Sequence, residues 1–127
     1  MSAAPHLRDR YLQDSINTAS PAKLLLMLYD RLVLDLMQAE QALRDGDREA
    51  AHDKVTHAQE IVIELRTSLD VEAWSGAPAL ANIYGWMLTE LIGANIARDA
   101  DRVAAIRNLA EPLRDTWREA AAAAVAG

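Results

Sequence analysis

Cysteine and phenylalanine are absent from the chain. Without cysteine there are no disulfides, no thiol chemistry and no cysteine metal sites, which fits a reducing compartment. Positive charge is in short supply, with 13 Lys and Arg against 19 Asp and Glu, so the net charge is −6. That balance disfavours nonspecific nucleic-acid binding, and the arginines are scattered among acids rather than clustered. The opening MSAAPHLRDR holds no apolar core of signal-peptide length. No run approaches the roughly 20 apolar residues of a transmembrane helix, so a cytoplasmic location without membrane insertion is expected. A glycine-rich phosphate loop and a serine nucleophile elbow are both missing. Aromatic side chains are few, and alanine, leucine, arginine, glutamate and aspartate dominate instead, a helix-forming palette.

The length suits one domain, and apolar periodicity divides it into a leading arm and four helices. Residues 1–19 form the arm, whose Leu7, Tyr11, Leu12 and Ile16 could line one small apolar face. Ser20 is a good N-cap and Pro21 fits the first helical position, opening a helix that runs to about Arg44. Its seam is Leu25, Leu28, Leu32, Leu36, Ala39 and Leu43, and Gly46 stands where glycine stops a helix. Asp47 caps a second helix that ends near Leu69, with Ala51, Val55, Ala58, Val62, Leu65 and Leu69 stepping by four and three. A third helix runs from about Pro78 to Arg98, turning Leu80, Ile83, Tyr84, Met87, Leu91 and Ala94 inward. The fourth starts after Asp99 or Asp101, with a seam of Val103, Ile106, Ala110, Leu113 and Trp117. Pro112 sits inside it, and proline removes a hydrogen bond and presses on the preceding turn, so a kink or break is expected there. Four helices on short connections predict an all-α, antiparallel four-helix bundle over 20–127, preceded by a mobile arm or short extra helix.

Ionisable residues offer little chemistry. Glu49 and His52 match one Glu-x-x-His step of a di-iron bundle, but the second step is missing. His52 and His57 are five apart and diverge on a helix, so both read as solvated. Asp99 and Asp101 fit helix capping. No catalytic residue, cofactor or metal is expected; a ferritin-like metal bundle stands only as a rival reading.

Apolar residues on the wrong side of the helices are more informative. Leu24 to Leu28 follow one another without a break, and each helical step turns a side chain by about 100°. Measured from the first seam, Leu26, Val33 and Met37 fall about 80 to 120° away and could widen the core toward a second neighbour helix, with Leu26 and Val33 also open to a partner. Met27 and Leu34 fall nearly opposite. Ile63 on the second helix, and Trp86 and Ile96 on the third, also lie off-seam. Gly85, Thr89 and Gly93 recur every four residues on the third helix's outer face, a smooth track along which another backbone can lie close. These positions predict apolar grooves for a partner segment; a self-associating helical adaptor is the alternative use of the same surface.

The string YLQDSINTASPAKLLLMLYD at 11–30 resembles the N-terminal signature of the FliS family of flagellin-specific export chaperones. KVTHAQEIVIELRTSLD at 54–70, IYGWM at 83–87, GAN at 93–95 and LRDTW at 113–117 follow in the family's order. The resemblance implies a cytoplasmic, non-enzymatic antiparallel bundle, a monomer or weak dimer. It would bind the unfolded C-terminal segment of flagellin, block premature polymerisation, and deliver its client to the type III export gate. It leaves room for a regulator that competes for flagellin. It also implies that the arm, through Tyr11, Leu12 and Ile16, covers a groove until flagellin displaces it, with Asn17, Ser20 and Pro21 leading into the first helix. Pro112, Trp86 and the small-residue loop around Trp74 depart from the family pattern.

Overall fold

The computed structural model describes residues 20–126; the expectations placed on His6, Leu7, Tyr11, Leu12, Ile16 and Asn17 lie outside them. Helix α1 (Pro21–Asp45) starts where the Ser20 hydroxyl accepts the Lys23 N–H at 3.2 Å, with Pro21 in the first turn. It stops at Gly46, whose φ of 74° is a left-handed conformation that an L side chain resists. The Gly46 and Asp47 N–H groups return to the carbonyls of Leu43 and Ala42, satisfying groups the helix end would leave orphaned. Asp47 then caps α2 (Arg48–Ser68) by accepting the Ala50 N–H at 3.1 Å. An eight-residue stretch, 69–76, leads to α3 (Ala77–Ala97). Arg98 and Asp99 alone connect α3 to α4 (Ala100–Ala126), and the Asp99 carboxylate accepts the N–H groups of Asp101 and Arg102.

The four helices close into a ring. α1 packs on α2 and α4, α3 packs on the same two, and the diagonal pairs stay apart. Cross-helix ion pairs set the directions: Glu40 meets Arg107 at 2.8 Å and Asp30 meets Arg118 at 2.9 Å, so α1 and α4 run oppositely. The Arg107 hydrogen bond is the main reason that the Glu40 carboxyl is held below the ordinary glutamate range. Glu90 and Arg102, 2.6 Å apart, give the same antiparallel sense to α3 and α4. The bundle is all-α, as the sequence predicts.

Inside the ring the core is aliphatic, built on Leu32, Leu36, Val55, Ile61, Val62, Met87, Leu91 and Ile106. Tyr29 of α1 and Tyr84 of α3 reach across the diagonal, and their buried hydroxyls lie 2.6 Å apart in one hydrogen bond. Three expectations are corrected. Val33 belongs to the core and not to a partner groove, because α1 touches two neighbours and buries more than a narrow seam. α4 continues through Pro112 without a break; the proline is exposed, so the Asn108 carbonyl it cannot serve faces the solvent side. His57 is not simply solvated: its Nδ1 bonds the fully buried Asp35 carboxylate of α1, and Arg31 Nε stands 3.1 Å from the other carboxylate oxygen.

Candidate docking surface

Helix α3 carries one charged residue, Glu90, among its 21. A helix apolar on all sides belongs in an interior, yet only two neighbours cover this one. Its inner half (Leu80, Tyr84, Met87, Leu91, Ala94) is buried. Its outer half leaves Trp86 at 42 %, Ile92 at 46 % and Ile96 at 80 % exposed. Thr89 hands its hydroxyl back to the Gly85 carbonyl at 3.1 Å, so it withdraws the polar group it would otherwise offer on this face.

The ends of the expected glycine track differ. A side chain at Gly85 would meet nothing within 4 Å, so backbone there is open to a close partner. Gly93 is instead roofed by the Arg102 guanidinium on its way to Glu90. The track is therefore open from Gly85 to Thr89 and closed at Gly93, which corrects the expectation of a continuous stripe. Asn95 bonds His52 of α2 at 3.1 Å and Glu90 bonds Arg102 of α4, which identifies the two shoulders of α3. At about 100° per residue, Ile92 and Ile96 fall on the α2 shoulder, the side to which exposed Ile63 of α2 turns, while Trp86 falls on the α4 shoulder.

The α1 residues do not join this surface. Leu34 is exposed and Leu26 and Met27 are half-buried, but α1 sits diagonally across the ring from α3. Met37, read as widening the core, is instead exposed, which corrects that expectation. The structure thus divides the expected groove in two: an α3 face with Ile63, Gly85, Trp86, Thr89 and Ile96, and an α1 face with Leu34 flanked by Leu26 and Met27. Ile92 went unnoticed in the sequence, although its position four residues before Ile96 carries the same signal.

A cavity of about 320 Å³ opens where the start of α1, the end of α2, the 69–76 stretch, the start of α3 and the end of α4 converge. Leu24, Leu25, Leu28, Leu65, Leu69 and Leu80 form its apolar wall, with Tyr84, Trp74 and Trp117. Trp74 and Trp117 meet edge to face at 6.4 Å, which gives the loop tryptophan a packing role. Burial, then the neighbouring Tyr29, pushes the Tyr84 hydroxyl far above the ordinary tyrosine range; burial likewise raises Tyr29. Pro21, in the first turn of α1, also lines this cavity. Among the described residues no three His, Cys, Asp or Glu gather as a metal site, and no helix is long and apolar enough to cross a membrane. What the surface offers is apolar area and open backbone, the chemistry of docking.

Comparison with known proteins agrees with that chemistry. The family model described as "Flagellar protein FliS" matches residues 3–124. The chain is similar to the flagellar secretion chaperone FliS of Bacillus subtilis, with 33 % identity over 110 residues, 87 % of this chain and 82 % of the relative. Its similarity to the flagellar secretion chaperone FliS of Campylobacter jejuni is 32 % over 110 residues, 86 % of each chain. A crystal structure of a flagellar chaperone from bacteria superposes with a TM-score of 0.73, covering 91 % of this chain and 94 % of the other at 22 % identity, a likeness of fold.

Proposed function

Because the chain belongs to the FliS family of flagellar proteins, we propose that it is a flagellar secretion chaperone whose client is the C-terminal segment of flagellin. It works without catalysis. The observation that carries the reading is helix α3, apolar on every side and covered on only one. Fully burying a tryptophan or isoleucine side chain is worth about 1.5–3 kcal/mol. Trp86, Ile92 and Ile96 would each contribute part of that on docking, and the ordering cost of the segment subtracts from the sum, which fits a moderate net affinity. Holding that segment lowers the free concentration of its apolar face by mass action, which opposes premature polymerisation. A moderate affinity also permits release at the export gate, to which the complex is delivered from the cytoplasm.

Residues 1–19 complete the reading as a lid, through Tyr11, Leu12 and Ile16. The apolar cavity whose lining includes Pro21 supports this, because a lid needs a recess beside its point of attachment. A lid that competes with the client lowers apparent affinity and shields the recess when no client is bound. Deleting residues 1–18 should increase the binding of an apolar-sensitive dye; unchanged dye binding removes the lid.

Co-purification tests the client. Intact flagellin should be retained by this protein, and flagellin lacking its C-terminal segment should be lost. Equal retention of both would place the contact elsewhere. Concentration-dependent sedimentation of the protein alone, abolished by Trp86→Glu, would assign the α3 face to a second copy instead.

A further inference from the structure

At the end of the bundle opposite the aromatic cavity, the end of α1, the start of α2 and the end of α3 surround two adjoining clefts of about 260 and 190 Å³. Leu43, Arg48 and Arg98 line both. Arg31, Arg44, Arg102, Arg107, Arg114 and Arg118 all lie in ion pairs. Arg48, Arg66 and Arg98 have none among the described residues, and of these Arg48 and Arg98 share one recess. Asp47, which lines the smaller cleft, accepts the Ala50 N–H, and Asp99 accepts those of Asp101 and Arg102.

Arg98 carries a second signal. Its φ of 53° is the left-handed conformation, and among the described residues it is the single non-glycine that adopts it. Glycine fills the matching position after α1, at Gly46. Glycine would end α3 without the strain that an L side chain suffers there. A strained backbone kept for the sake of its side chain is a feature of sites that hold ligands.

The larger cleft continues the α3 face: Ile96, the last residue of that face, lines it, while Leu43 of the inward α1 seam forms the floor shared by both clefts. We propose that the client, lying along the α3 face, runs past Ile96 into these clefts, and that Arg48 and Arg98 clamp an aspartate or glutamate side chain of the residues that arrive there. Charge complementarity selects the occupant: two unpaired guanidinium forks, next to the positive start of α2, match a carboxylate. This inference rests on the client reading above.

Calorimetric titration with a synthetic flagellin C-terminal segment tests it, using the full chain, Arg48→Gln and Arg98→Gly. Each variant should bind about tenfold more weakly and lose part of the salt dependence of binding. Arg98→Gly should melt no lower than the parent, because glycine relaxes the turn, so lost affinity cannot be put down to a damaged fold. Replacing the segment's acids one at a time with Asn or Gln should reproduce the loss at one position. That replacement should have no further effect on the Arg98→Gly variant. Unchanged affinity and salt dependence in both arginine variants overturn the clamp while the client reading stands. A loss produced by amidating the segment's C-terminus, and by no side-chain replacement, overturns the side-chain occupant in favour of the terminal carboxylate. A parent protein that fails to bind the segment at all overturns the client reading, and the clamp with it.

Discussion

Two polar groups inside an aliphatic core show where single residues decide stability. The Tyr29 and Tyr84 hydroxyls satisfy each other across the bundle. Tyr84→Phe removes the closest partner of the Tyr29 hydroxyl, leaving it the Trp117 indole, and should cost about 1–3 kcal/mol, whereas the double change to phenylalanine should cost less than the two single changes added. Thermal melts of the three variants measure this. Alkali is a second test of the same pair. Unfolded tyrosines ionise near pH 10, but both buried hydroxyls have raised values in the folded state. The unfolded chain therefore sheds protons first, and the stability from the pair is intact below pH 10 and is lost as pH climbs above it. Denaturant midpoints should fall above pH 10 in the parent and fall less in the double phenylalanine variant. Neither tyrosine's partner is visible in the sequence, because the pairing joins residues 55 apart. The same holds for His57 and Asp35. The helical angle of a histidine reveals its direction, not that a carboxylate waits on the adjoining helix.

Helices were the most legible level. Ser20, Pro21, Gly46 and Asp47 mark their own positions, since capping chemistry is local. The seam of α1 was drawn too narrow: a helix in a ring meets two neighbours, so its buried side extends past Leu32 to Val33 on one flank and Asp35 on the other. Pro112 misled for a different reason. Proline does remove a hydrogen bond, but a 27-residue helix held along its length can absorb one loss on its exposed side. Pro112→Ala should accordingly raise stability, by about 1–3 kcal/mol, seen as a higher melting temperature with unchanged helical content. At the other extreme, Gly46→Ala should lower stability by about 1 kcal/mol, because alanine is strained at the positive φ of the α1 stop.

At the scale of the molecule, short connections announced an antiparallel bundle, and off-seam Trp86 and Ile96 on the third helix announced a missing neighbour. The division of the exposed residues into an α1 face and an α3 face was not legible, because periodicity assigns angles within a helix and says nothing of which helices lie diagonally. The end cavity and the arginine clefts were equally hidden; each is made by pieces of three or more elements that meet only in the fold. The account as a whole depends on the outer face of α3 being left bare for a client. Titration of the flagellin C-terminal segment into a Trp86→Glu/Ile92→Glu variant tests that directly. Both side chains are exposed, so melting temperature should hold. Losing two buried apolar anchors should weaken binding by about 100-fold. An affinity equal to that of the parent would contradict the account.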